Sequence, residues 1–161
     1  MAKSGGYIME PYISPIQFNE EPAHVIVICC SDGRTRQQIF DFLDHHGINA
    51  DIYAVPGGPL IFSGGVEMFQ DASIAERRIN YLVEEHKAQS IILIGHGSED
   101  ESCQCGMAKM LFPNLSPIDR LNKQKALLAT ATGKAAGITG LPVESYFANV
   151  VDDMVQFEEV E

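Results

Sequence analysis

Two short stretches hold the residues with chemistry to offer. Cys29-Cys30-Ser31-Asp32-Gly33-Arg34 places a thiol pair, an acid and a base almost side by side. Gly95-His96-Gly97, followed by Cys103-Gln104-Cys105, supplies an imidazole and two more thiols. Thiolate sulfur together with imidazole nitrogen makes zinc the default ion. Three protein ligands would leave a fourth position open for catalysis, and four would close the site. Asp32 and Arg34 are spaced to form an ion pair beside it. The remaining candidates are weaker. His45-His46 and His86 fall on polar helix faces, where solvation is the expected role, and His24, at the start of a strand, is open to either a solvated or a functional role. Gly57-Gly58 and Gly64-Gly65 match neither glycine-rich phosphate-binding pattern and read as turns.

The elements that must position these residues can be read in order. His24–Cys29 is a short apolar strand, with Cys29 and Cys30 pointing to opposite faces. A helix opens at Thr35 or Arg36 and runs to about His46, with Ile39, Phe40 and Leu43 on one face and Gly47 as its stop. Ile48–Val55 is a second strand, ended by Pro56-Gly57-Gly58-Pro59. A long helix between about Val66 and Lys87 carries Ala72, Ala75, Ile79, Leu82 and Val83 at helical spacing. Ser90–Ile94 is almost wholly apolar, as a parallel strand buried on both faces would be. Gly95–Cys105 reads as a polar loop and Gly106–Phe112 as a short helix. Ser116-Pro117 then starts a helix reaching about Ala136. Val143–Val151 is a further strand, with Asp152-Asp153 as a turn and Met154–Phe157 as a short extension.

This alternation predicts an α/β fold: a mainly parallel central sheet of about four to five strands, flanked by helices. The first and third strands would then deliver their carboxyl ends, and the two reactive stretches, to one edge. Residues 1–22, with Gly5-Gly6, Pro11, Pro15 and Pro22, form an irregular N-terminal arm, and residues 23–161 a single α/β zinc-binding domain.

Composition narrows the partners. The 161 residues carry 22 acidic and 11 basic side chains, a net charge of -11, which argues against nucleic acid and anionic membrane surfaces. No apolar run approaches the roughly 20 residues of a membrane span. The first residues lack the basic-then-apolar order of a secretory signal. A cytoplasmic location is expected, where four cysteines favour metal binding or catalysis over disulfides.

Cys30-Ser31-Asp32-Gly33-Arg34 resembles the Cys-x-Asp-x-Arg signature of the β-class carbonic anhydrases. Gly95-His96 and Cys105-Gly106 resemble the steps that begin that family's second signature and its next helix. The resemblance extends coarsely from about His24 to Phe157. It implies zinc on Cys30, His96 and Cys105, with Cys103 as the alternative or fourth ligand. It implies further that Asp32 orients a zinc-bound hydroxide, and that Arg34 pairs with Asp32 and keeps it off the metal. The implied enzyme is a lyase, hydrating CO2 reversibly to bicarbonate, and a homodimer or higher homo-oligomer.

Two departures stand out. The family spaces its second and third ligands as His-x-x-Cys, whereas Cys103 and Cys105 lie further from His96, so the acidic run 98–102 is expected to loop out. Ala54-Val55-Pro56-Gly57-Gly58 keeps only the glycine character of the family's segment after the second strand. Alternative readings are a non-catalytic zinc protein closed by Cys103 or Glu99, a hydrolase of another small linear substrate such as COS or CS2, and a metal-free thiol-redox protein using Cys103 and Cys105.

Overall fold

The computed structural model describes residues 13–16, 20–63 and 69–161, and of 69–71 the backbone alone. Most of the expected arm, 1–22, lies outside the described residues, as does the expected start of the long helix at Val66. The elements are β1 (Val25–Cys30), α1 (Arg36–His45), β2 (Ala50–Val55), α2 (Phe69–His86), β3 (Ser90–Ser98), α3 (Gly106–Leu111), α4 (Pro117–Thr139), β4 (Val143–Val151) and β5 (Met154–Glu159). They build one sheet of order β2-β1-β3-β4-β5, parallel except for the last pair. The expected α/β class and mainly parallel sheet are therefore observed.

Helices cover both faces, and the strand sequences show why. Ile26 and Ile28 of β1 and Ile91 and Leu93 of β3 pack against Ala75 and Ile79 of α2 and Leu121, Leu128 and Ala131 of α4. Their alternates, Val27, Cys29, Ile92 and Ile94, pack against Ile39 and Leu43 of α1. Each such aliphatic side chain contributes about 1.5–3 kcal/mol on full burial, which commits β1 and β3 to the centre of the sheet. Cys29 belongs to this packing, and burial pushes its thiol up to about 11. The expected extension after β4 is a full antiparallel strand. Asp152 and Asp153 turn it with φ of 48° and 62°, a left-handed pair that suits a two-residue hairpin.

β3 runs four residues beyond the expected strand end at Ile94, so His96 lies within the strand and not in a loop after it. The cause is β4, whose nine residues keep the ladder going through His96↔Ala148 and Ser98↔Val150. Glycine at 95 and 97 lets α4 and the Phe147 ring close on the extended strand. A Cβ at Gly95 would sit 3.1 Å from the Phe147 ring, and one at Gly97 3.1 Å from Gln124 Nε2.

At the end of β2, Gly57 and Gly58 hold φ of +79° and +52° and fold the chain over the end of β1. A Cβ on Gly58 would lie 2.6 Å from the Cys30 nitrogen. Gly58→Ala is therefore expected to cost at least about 2 kcal/mol, from left-handed strain and a backbone clash. Gly33→Ala, with nothing within 4 Å of its Cβ position, should stay within about 0.5 kcal/mol. Urea unfolding of the two variants checks this, and equal midpoints would contradict it.

Candidate metal centre

β1 and β3 are neighbours with Cys29 opposite Ile94, so the next residues, Cys30 and Gly95-His96, emerge together at the carboxyl edge of the sheet. Cys105 arrives from the other direction, as the residue preceding α3. One ligand atom from each of Cys30, His96 and Cys105 lies within 4.8 Å of the others, and all three residues are buried. The Cys30 and Cys105 sulfurs are 4.0 Å apart. Two thiolates bound about 2.3 Å from a tetrahedral ion would stand about 3.8 Å apart, so the pair is already close to a ligand spacing.

The electrostatics favour a thiolate here. Cys30 is pulled well down, first by its hydrogen bond with Cys105 and then by His96, against the opposing effect of burial. Cys105 is pushed up by the same bond and by burial. The Gly57 N–H also donates to Cys30 Sγ at 3.3 Å. His96 is 4% exposed, and neither ring nitrogen has a hydrogen-bond partner among the described residues. An imidazole buried without partners is costly. A metal ion accepting one nitrogen would remove part of that cost, so the donor set and its geometry fit an ion.

Asp32 and Arg34 stand at the mouth of this group. Arg34 grips both carboxylate oxygens of Asp32 through Nε and Nη2, the Nη2–Oδ2 distance being 2.6 Å. Asp32 Oδ2 is 4.0 Å from His96 Nε2. Hydrogen bonds from Arg34 hold the Asp32 carboxyl down at about 2, and the same bond raises Arg34.

Cys103 lies apart. Its Sγ is 3.5 Å from Ser102 Oγ, and with Glu99 and Asp100 it lines an acidic surface hollow. Glu99 does not join the buried group of three either. The 98–102 run does not simply loop out. Ser98 ends β3, Asp100 accepts from the Ser102 N–H at 2.8 Å, and Glu101 pairs with Lys109 at 3.1 Å and Arg120 at 2.8 Å. His86, expected to be solvated, bonds Asp51, and His46 Nδ1 lies 2.7 Å from the Phe42 carbonyl.

Sequence reasoning missed Gly57, Gln104 and Arg120. A main-chain donor leaves no mark on residue type. Arg120 and Gln124 did leave one: they precede Leu128 at four-residue spacing on the buried stripe of α4, where polar residues demand explanation.

The fold is similar to that of solved β-carbonic anhydrases. One from Trichomonas vaginalis superposes with a TM-score of 0.50 at 16% identity, over 89% of this chain and 87% of that chain. One of two tetrameric enzymes from Sordaria macrospora gives 0.52 at 15% identity, over 85% and 81%. A further β-carbonic anhydrase gives 0.55 at 14% identity, over 85% and 82%. No protein-family model and no curated protein matches the chain. At these identities the likeness is one of fold.

The Asp32–Arg34 pair has a pH signature. A depressed carboxyl adds stability that is present in full above its unfolded value of about 4 and is lost as the pH falls through about 2. Arg34→Met should return the Asp32 carboxyl toward about 4, read as the midpoint of its carboxyl carbon resonance. An unmoved midpoint would show that the guanidinium is not the cause.

Proposed function

We propose that Cys30, His96 and Cys105 hold a zinc ion and that the chain, with its β-carbonic-anhydrase fold, catalyses the reversible hydration of CO2 to bicarbonate. The observation that carries this reading is the buried pair of sulfurs and unpartnered imidazole gathered at the strand ends. Soft sulfur with imidazole nitrogen is a donor set for zinc. Bound there, zinc would supply Lewis acidity and bring the pKa of water down to about 7.

The protein's own groups would do the rest. Asp32, ionised throughout the neutral range, would accept a hydrogen bond from the reacting water and orient it. Arg34 would keep that carboxylate off the ligand group. The Gly57 N–H would share the charge of Cys30 and so moderate the electron donation of two thiolates. A hollow of about 10 Å³ beside His96 and Cys105 is walled by Leu60, Leu128 and Phe147. That is about one water-sized sphere, with the Gln124 side chain among its walls. Cys105 is preferred over Cys103 as the third ligand because its sulfur stands beside that of Cys30.

The same reading takes the protein as a homodimer or larger, and as cytoplasmic. The solved neighbours from Sordaria macrospora are tetrameric. β2 is an open edge strand with Ile52 and, nearby, Phe40 exposed. All four cysteines are free, as a reducing compartment would leave them. No described helix is long and apolar enough to cross a membrane.

Purified protein is expected to carry about one zinc per chain. Cys30→Ser and Cys105→Ser should lose it and Cys103→Ser keep it, measured by elemental analysis. Stopped-flow hydration of CO2 should exceed the buffer rate between about pH 7 and 9. Zinc-loaded protein with no rate above buffer would sink the enzymatic reading, and COS and CS2 assayed alongside would reveal a different linear substrate.

A further inference from the structure

Arg34 uses both edges of its guanidinium. One edge holds Asp32. The other reaches into the 98–105 segment, Nη1 donating to the Ser102 carbonyl at 2.7 Å and Nη2 to the Gln104 carbonyl at 3.1 Å. The Arg34 side chain is 55% exposed. Held by Asp32 alone it would be a surface ion pair, which contributes little and reorients readily. The two carbonyls turn it into a fixed fork.

The segment that carries those carbonyls is anchored in turn by the side chain of Gln104, a residue 1% exposed. Its Nε2 donates to the carbonyls of Ser98 and Pro117, each at 2.7 Å, and so ties the end of β3 to the start of α4. Its Oε1 accepts from Arg120 Nη1. Arg120 is buried and donates also to the carbonyls of Phe112 at 3.2 Å and Leu115 at 2.9 Å and to the Glu101 carboxylate at 2.8 Å. Hydrogen bonds and main chain therefore run continuously from Arg120 through Gln104 and Arg34 to Asp32.

We propose that Gln104 and Arg120 are positioning residues of the metal centre: they fix the two loop carbonyls that hold Arg34, and thereby keep the Asp32 carboxylate on the guanidinium and away from the ion. Only the last step rests on the zinc reading, since the clamp on Arg34 needs no metal. Asp32 is near enough to His96 that a short swing would carry its carboxylate onto the ligand group, and the clamp opposes that swing. The long spacing between His96 and Cys105 acquires a purpose on this view, because its extra residues supply the carbonyls.

Nuclear magnetic resonance of the Arg34 side chain, in the protein as purified, tests the clamp. The bond from Nη1 to the Ser102 carbonyl is expected to give a scalar coupling across the hydrogen bond, and Nε–H to exchange slowly with water. Gln104→Leu keeps the bulk and removes the bridge. It should speed Nε–H exchange about tenfold or more, the scale of one lost charge-assisted hydrogen bond, while unfolding stays cooperative. Arg120→Lys should act in the same direction, more weakly. In zinc-loaded Gln104→Leu the hydration rate should fall with metal content unchanged. Unaltered Arg34 exchange in folded Gln104→Leu overturns the proposal. If that variant fails to fold, absence of the coupling in the parent protein overturns it. A parent protein that clamps Arg34 but hydrates no CO2 defeats the enzymatic reading and leaves the clamp standing.

Discussion

A buried imidazole with neither nitrogen hydrogen-bonded is expensive, and among the described residues His96 is held in that state. The ladder between β3 and β4 fixes its backbone, and the ladder between β3 and β1 sets Cys30 beside it. Glycine on either side lets Phe147 and α4 close over the strand. The aliphatic core beneath meets the cost, since β1 and β3, which carry Cys30 and His96, are buried along nearly their whole length. A site built on central strands is held more firmly than one carried by loops.

Charge is distributed to the same end. The chain carries a net charge of -11, yet Arg34, Arg120 and Lys109 all converge on the short segment between His96 and Cys105. Two of them bind its main-chain carbonyls and two bind Glu101. Cations are concentrated on the acceptors of this one segment, the exposed carbonyls of Glu101 and Ser102 and the part-buried carbonyl of Gln104.

The fold was legible because its signals were periodic. The apolar runs of β1 and β3, the helical spacing of Ala75, Ile79, Leu82 and Val83 in α2, and the Ser116-Pro117 start of α4 each follow from local chemistry. The run of β3 through His96 to Ser98 was not legible, because what extends β3 is its partner β4, and pairing between distant strands leaves no local pattern. Cys30, His96 and Cys105 could be named from residue type and strand-end placement. Their mutual distances, the Gly57 donor and the Gln104–Arg120 bridge arise only from packing.

The segment between His96 and Cys105 shows how a fold secures a long connection beside a buried group of side chains. Added residues cost little in closure entropy, because that cost grows only with the logarithm of loop length. The larger demand is polar: every added peptide that is buried brings a donor and an acceptor needing partners. Asp100 answers part of it by capping its own turn, and Gln104 spans the gap between β3 and α4. Arg120, on a helix rigidly docked to the sheet, anchors the rest. Cys105 is thus set by a buried side-chain bridge on its N-terminal side and a helix on its C-terminal side. The register of its sulfur against Cys30 therefore depends on those anchors and not on the number of residues separating it from His96.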